Sequence, residues 1–291
     1  MIALPRTRSS PWRVVKPSLP QPRPSGIVVP GLTIHYGLKA SGSESKARKL
    51  VHLLHQAAQD LPFTSVGEVA DLKGALADER LCPPGHPLTN LLFGGCEWLE
   101  YDRRSIGPDS FTSRTAQIHP THLIGFQTLL GEGCESGRFG LCRYPAFVEV
   151  GLSRRIRTGL GGWLWKSFCK TQYSSNPMCG GVENFLRCHL SVVALLDKAK
   201  AVGFEVEVDD EGGFWSKRSV PDLVREVGTW NEDIAGLFGV LQSVGGQGVQ
   251  GAIQEFPNFE HLEASGSNRP ELVKLRQLFA ATGAKFNTPP V

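Results

Sequence analysis

The stretch Leu32-Thr33-Ile34-His35-Tyr36-Gly37-Leu38, followed after Ser41-Gly42-Ser43 by residues 44–60, decides the fold. Leu32, Ile34, Tyr36 and Leu38 alternate with polar or small residues, the period of two that marks a half-buried strand. Ala47, Leu50, Val51, Leu54 and Ala58 then recur at helical spacing, and Ser43 is placed to cap the helix N-terminus. Pro62 stops that helix, and Ser65 to Leu72 reads as a second strand, so the order is β-α-β.

The same order returns near residue 180. Val182 to Val202 is apolar almost all round, as a buried helix is, and Gly203 stands where a glycine closes a helix C-terminus. Phe204, Val206 and Val208 then alternate with Glu205, Glu207 and Asp209, a strand with one acidic face. Ser219, Pro221 and Asp222 open a further helix that carries Leu223, Val227, Trp230, Ile234, Leu237, Phe238 and Leu241 and ends at residues 245–251. A last helix spans Glu271 to Thr282 and closes on Gly283.

Between the two units the pattern is weaker. Leu91 to Tyr101 reads as a strand with a bulge at Gly94-Gly95. Leu123 to Leu130 and Phe139 to Val150 read as strands flanking the turn at residues 131–137. Arg154 to Leu160 and Trp163 to Tyr173 read as a further pair around Gly161-Gly162, completing an antiparallel meander. The fold class is therefore α+β: a mixed, largely antiparallel sheet built around two β-α-β units, with helices packed on it. A pseudo-duplicated ferredoxin-like layout is one form this order can take. Residues 1–26 read as a disordered, basic Pro/Arg-rich arm and residues 284–291 as a flexible tail. Residues 27–283 form the globular region, with two subdomains expected to divide near residue 120.

Composition bounds the class. Of 291 residues 41% are hydrophobic, with 15 Phe and 6 Trp, which excludes a wholly disordered chain. Gly 33 and Pro 20 together exceed the roughly 12% of an average chain and favour a loop-rich α+β protein over a helical bundle. No run of about 18 apolar residues exists, so no membrane partner is expected. Seven cysteines stand at scattered positions with no C-x-x-C pair, and residues 1–26 hold no apolar leader segment. The expectation is a cytoplasmic protein with free thiols.

The net charge of +3 is unevenly placed. Residues 1–26 hold Arg6, Arg8, Arg13, Lys16 and Arg23 with no acid, and residues 138–187 hold eight cations against Glu149 and Glu183. The remainder is acidic, and such asymmetry points to a polyanionic partner.

Two constellations carry chemistry. The first interleaves Arg154, Arg155, Arg157, Lys166 and Lys170 with Trp163, Trp165 and Tyr173. Cations that neutralise phosphates beside rings that stack bases suit a nucleic acid. Half-buried strands with core aromatics and outward Arg or Lys stems produce the same pattern. The second gathers Asp209 and Glu211, as acid–base or hard-cation groups, with Lys170 or Arg187 as electrostatic stabilisers and Cys169 as a thiol nucleophile flanked by cations. A solvated strand face running into an Asp-Glu-Gly-Gly turn gives the same residues.

Other patterns resolve more simply. His119-x-x-His122 with Cys134 and Cys142 offers four zinc ligands, but Pro120 and the spacing match no usual zinc motif, so no metal ligand is assigned. Cofactors are unassigned too. His189, among Val182, Phe185, Leu186, Val193 and Leu196, reads as a hydrogen-bonded core histidine, and His52 with His55 as part of a solvated helix face. Residues 246–251 fit G-x-G-x-x-G, but a helix precedes them where the dinucleotide motif needs a strand. Residues 257–263 read as a surface loop bearing acid–base groups. Three functions follow: a polyanion-binding module on the basic–aromatic surface; a hydrolytic or transfer enzyme beside the second β-α-β unit; or a module that docks a protein partner.

Overall fold

The computed structural model describes residues 32–104, 111–151, 154–243 and 252–282. The expected arm, the tail and the glycine string at 246–251 lie outside the described residues. Strand β1 (Thr33–Ala40) leads to helix α1 (Glu44–Gln59), then to the short strands β2 (Ser65–Val66) and β3 (Ala70–Lys73). Two 3-10 turns, Gly74–Ala77 and Glu79–Leu81, precede α2 (Thr89–Gly94). Then come β4 (Glu97–Arg104), β5 (Phe111–Ile118), β6 (His122–Leu129), β7 (Gly137–Arg143), β8 (Phe147–Val150), β9 (Arg154–Arg157) and β10 (Trp163–Lys170). The C-terminal part holds α3 (Gly181–Val202), β11 (Glu205–Asp210), α4 (Phe214–Lys217), α5 (Val220–Ser243), α6 (Phe259–Gly266) and α7 (Pro270–Thr282).

The protein is α+β. Its main sheet runs β11-β1-β10-β7-β6-β2, with β3 also on β6, and every pairing is antiparallel. Both β-α-β units are present, but each joins strands that are parallel without being neighbours. β1 and β3 are separated by β10, β7 and β6, whereas β10 and β11 are separated by β1 alone. Because the two units span different numbers of strands, they are not copies of one layout, and a duplicated ferredoxin-like arrangement is not reproduced.

Local chemistry sets these elements. Ser43 Oγ accepts the amide of Lys46 at 3.3 Å and starts α1, whose Ala47, Leu50, Val51, Leu54 and Ala58 are buried. Gly203, at φ 110°, closes α3 in the left-handed conformation that glycine adopts without a Cβ penalty. α1 and α3 pack against each other. Ile34, Tyr36, Leu38 and Ala40 share one core cluster with Leu50, Leu54, Leu195 and Leu196, so the even positions of β1 face the interior. On the other sheet face, α2 sets Leu91 against the paired glycines Gly125 and Gly140. A Cβ on Gly140 would lie 2.5 Å from the Ile124 carbonyl oxygen, so only glycine permits that strand approach. β4–β5 and β8–β9 are two separate ribbons joined by Leu99, Ile118, Val150 and Ile156. A further cluster, Ile234, Phe238, Ile253 and Leu262, holds α5 to α6.

Five segments differ from expectation. The single strand expected over Ser65 to Leu72 is two short strands, β2 and β3, each paired with β6. Residues 91–101 are the end of α2 followed by β4, because Gly94 and Gly95 finish a helix rather than bulge a strand. The expected strand at 139–150 is two strands in two sheets, interrupted at Pro145, which donates no ladder bond. β9 and β10 do not pair with each other: β9 lies on β8, while β10 takes a central place between β1 and β7, where its tryptophans are buried. Residues 259–263 belong to α6, anchored by buried Leu262.

Candidate functional site

Strand alternation distributes the chemistry between two surfaces. On the sheet face away from α1 and α3, β11, β1 and β10 lie side by side, with His35 opposite Asp209 and Phe168, and Gly37 opposite Glu207 and Lys166. A cleft of about 930 Å³ covers this face, walled by residues 159–162 and floored by His35, Lys39, Lys166, Glu207 and Asp209. Lys39 Nζ binds Glu207 Oε1 at 2.6 Å, and this contact holds the Glu207 carboxyl below its usual range. Glu211 Oε2 accepts the Thr33 amide at 2.7 Å and turns Oε1 towards His35 Nε2, 4.0 Å away. Lys166 Nζ lies 3.4 Å from Glu97 Oε2. Burial pushes the Glu97 carboxyl up, Lys166 only partly offsets that, and Oε1 has no hydrogen-bond partner.

The second surface is the β8–β9 ribbon. Its register sets Phe147 opposite Arg157 and Glu149 opposite Arg155. Ile156 and Val150 point into the cluster beneath, leaving Arg154, Arg155, Arg157, Glu149 and Phe147 exposed. The Arg155 guanidinium carbon stands 4.7 Å from the centroid of the Phe147 ring, and that ring is 45% exposed. Among the described residues, no carboxylate forms an ion pair with Arg155 or Arg157.

The residues singled out from sequence separate accordingly. Asp209 and Lys166 meet in the cleft, and Glu211 lies beside it against His35. Lys170 ends β10 opposite Thr33. Cys169 does not join them. It is on the other side of β10, fully buried, its thiol bonded to the Glu135 carbonyl at 3.2 Å and pushed well up by burial, so the adjacent lysines do not activate it and no substrate reaches it. Trp163 and Trp165 are 1% and 0% exposed, which removes them as stacking platforms. Trp165 instead donates its Nε1 to the Arg138 carbonyl at 2.9 Å. Tyr173 packs on the α5–α6 cluster, and burial pushes its hydroxyl up to about 12. Arg187 binds the carbonyls of Pro62 and Leu130 and the side chain of Asn184, a fastening of the 131–137 loop rather than a cleft group. His55 is buried, bonded to the Gly67 carbonyl, and not on a solvated face. His119, His122, Cys134 and Cys142, to which no metal is assigned from sequence, lie apart: His122 binds Asp71 at 2.7 Å, Cys142 is inside the core, and Cys134 lies by Cys188.

The sequence groups Asp210 with Asp209 and Glu211 as one carboxylate cluster at the end of a strand, but the structure sets it apart from them, on the inner side of β11. It sits in the apolar phase of β11 with Val206 and Val208, and that phase is the signal that marks it off. Its side chain is 1% exposed, accepts the amides of Gly212 at 2.9 Å and Trp215 at 2.8 Å, and lies 3.3 Å from His189 Nε2. His189 Nε2 is close to the carboxylate without an aligned hydrogen bond. Burial works to raise Asp210, but His189 and the two amides outweigh it and hold the carboxyl below its usual range. His189 Nδ1 in turn meets Thr171 Oγ1 at 3.0 Å. This is the hydroxyl–imidazole–carboxylate order of a nucleophile, base and orienter. However, Thr171 and His189 are both 0% exposed, so the chain fastens β10, α3 and β11 instead of meeting a substrate. Glu97 carries the same signal, standing in phase with Leu99 and Tyr101.

Comparisons with protein-family models, curated proteins and solved structures find no match for this chain. Among the described residues no helix is long and apolar enough to cross a membrane.

Proposed function

We propose that the protein binds a polyanion, a nucleic acid, through the β8–β9 ribbon. One observation carries this reading: Arg155 and Arg157 stand exposed beside Phe147 on the outer face of a two-stranded ribbon, Arg154 is exposed at the start of β9, and the ribbon's inner side is fixed by Ile156 and Val150. A β-ribbon fits the major groove of a duplex, and a ring next to guanidinium groups stacks an unpaired base. The cleft is unsuited to the same ligand, since Glu205, Glu207 and Asp209 on its floor repel phosphate. The test is fluorescence anisotropy of labelled single- and double-stranded oligonucleotides at low and near-physiological salt. Binding that weakens steeply with salt is expected; absence of binding at low salt retires the reading.

A second reading, a hydrolytic or transfer enzyme, is favoured by the cleft itself. His35 faces Glu211 at 4.0 Å, and the half-buried Lys166 stands in front of a carboxyl raised by burial, that of Glu97. A concavity floored by His35, Lys166, Asp209 and the shifted Glu207 is a setting in which acid–base chemistry is found. This reading loses Cys169 as nucleophile and rests on His35, Asp209 and Lys166. Screening ester, phosphoester and amide substrates against wild type and His35→Ala tests it: turnover in the wild type that His35→Ala abolishes supports it, and no turnover in either ends it.

A further inference from the structure

Three turns that join the main sheet to the β4–β5 ribbon bring together three metal-ligating side chains, Glu79, Cys96 and His119, with Asp78 next to His119. Asp78 caps the 3-10 turn at Glu79–Leu81, Cys96 lies between α2 and β4, and His119 lies between β5 and β6. The ligating atoms of Glu79, Cys96 and His119 all fall within 4.8 Å of one another. Cys96 Sγ is 3.5 Å from His119 Nδ1, and the same Nδ1 is 3.4 Å from Asp78 Oδ1.

The sulfur–nitrogen separation is the edge of a tetrahedron around zinc: with Zn–S of about 2.3 Å and Zn–N of about 2.0–2.1 Å, tetrahedral angles give an edge of about 3.6 Å. We propose that Cys96 Sγ, His119 Nδ1 and a carboxylate oxygen of Glu79 bind one zinc ion, with Asp78 beside them in the outer shell. A thiolate with an imidazole selects zinc over magnesium or calcium, which prefer oxygen ligands throughout. Arg80 holds that outer shell: its backbone amide, Nε and Nη2 all bind the Asp78 carboxylate, at 3.1, 2.9 and 2.6 Å, fixing its orientation. Charge balances locally. Zinc's two positive charges and the Arg80 guanidinium offset one thiolate and two carboxylates, with the Cys96 proton released to solvent on binding. The His119 side chain is only 10% exposed, and the three protein ligands leave the fourth tetrahedral position to a water molecule. The ion would pin the β4–β5 ribbon to β6, and with it the β8–β9 ribbon packed on the same cluster. Of His119, His122, Cys134 and Cys142, whose residue types suit zinc although their spacing does not, only His119 takes part.

The test uses the full chain, stripped with a chelator and titrated with Co(II), then Zn(II). One equivalent of cobalt should give the intense visible bands of tetrahedral Co(II) and a near-ultraviolet thiolate charge-transfer band, and zinc should displace both. Cys96→Ser should lose the charge-transfer band, and His119→Ala should weaken cobalt binding at least tenfold. In the wild-type protein, zinc should protect the Cys96 peptide from iodoacetamide, read by mass spectrometry, and this readout needs no variant to fold. No saturation at one equivalent, a charge-transfer band that survives in folded Cys96→Ser, or equal alkylation of Cys96 with and without zinc would overturn the site.

Discussion

Replacing Asp210 probes the polar chain on which the sheet's left edge depends. In Asp210→Ala the amides of Gly212 and Trp215 lose their acceptor, and His189 loses the only carboxylate described next to it. Breaking a buried pair by removing one partner costs about 3–5 kcal/mol, and each orphaned buried donor about 1–3 kcal/mol. The amides are only partly buried, so about 3–5 kcal/mol is expected in total. For a chain of this size each kcal/mol moves Tm by about 2–4 °C, giving a loss of about 6–20 °C. Asp210→Asn keeps one acceptor oxygen and should fall nearer about 1–3 kcal/mol. The pH dependence has a definite sign. Because the folded carboxyl is held low, its stabilisation is present above the ordinary aspartate pKa of about 3.9 and is lost as pH falls through the folded value. Thermal melts followed by far-ultraviolet circular dichroism should therefore show a wide gap between wild type and variant at neutral pH and a narrower one in strong acid. An Asp210→Ala protein melting with the wild type at neutral pH, or a gap that widens in acid, refutes the reasoning.

Other outcomes follow from single contacts. Gly140→Ala should destabilise by about 1–3 kcal/mol, since its Cβ has backbone, not a flexible side chain, as its neighbour at 2.5 Å; urea unfolding measures this. Ser43→Ala removes the α1 cap and should cost about 1 kcal/mol on the same scale, with Ser43→Asp restoring it. Native-state alkylation should modify Cys82 and Cys179 while Cys142 and Cys169, both fully buried, react only after unfolding, as peptide mapping would show.

Where sequence pattern alone sufficed, one face of an element met one environment. β1, α1 and β11 each show a clean period because each has the core on one side only, α3 is apolar nearly all round because two clusters pack on it, and the ends are marked by Ser43, Gly203 and the 209–213 turn. Where it failed, tertiary context decided. Gly94-Gly95 ends a helix because Leu123 and Cys142 fill the space a Cβ at Gly95 would need, a contact between residues far apart in the chain. β10 is central rather than a hairpin partner of β9, so tryptophans that look like stacking rings are core. The candidate site was half legible. The exposure of Arg155 and Arg157 follows from alternation around Ile156, whereas Arg154 is in the phase of Ile156 and is exposed at the start of β9; Phe147 joins them only through the β8–β9 register. Likewise the acids of β11 reach His35 and Lys166 only because β1 inserts between β10 and β11. Strand order is set by long-range packing that no local period encodes.

The most direct test of ribbon binding compares salt dependence in wild type and in a variant with Arg154, Arg155 and Arg157 all replaced by alanine. Each lost phosphate contact removes about 0.7–0.9 from the slope of log K against log salt. The variant should therefore bind a labelled oligonucleotide more weakly and with a slope shallower by about 2–3. An unchanged slope in a folded variant would contradict the assignment of the polyanion site to this ribbon.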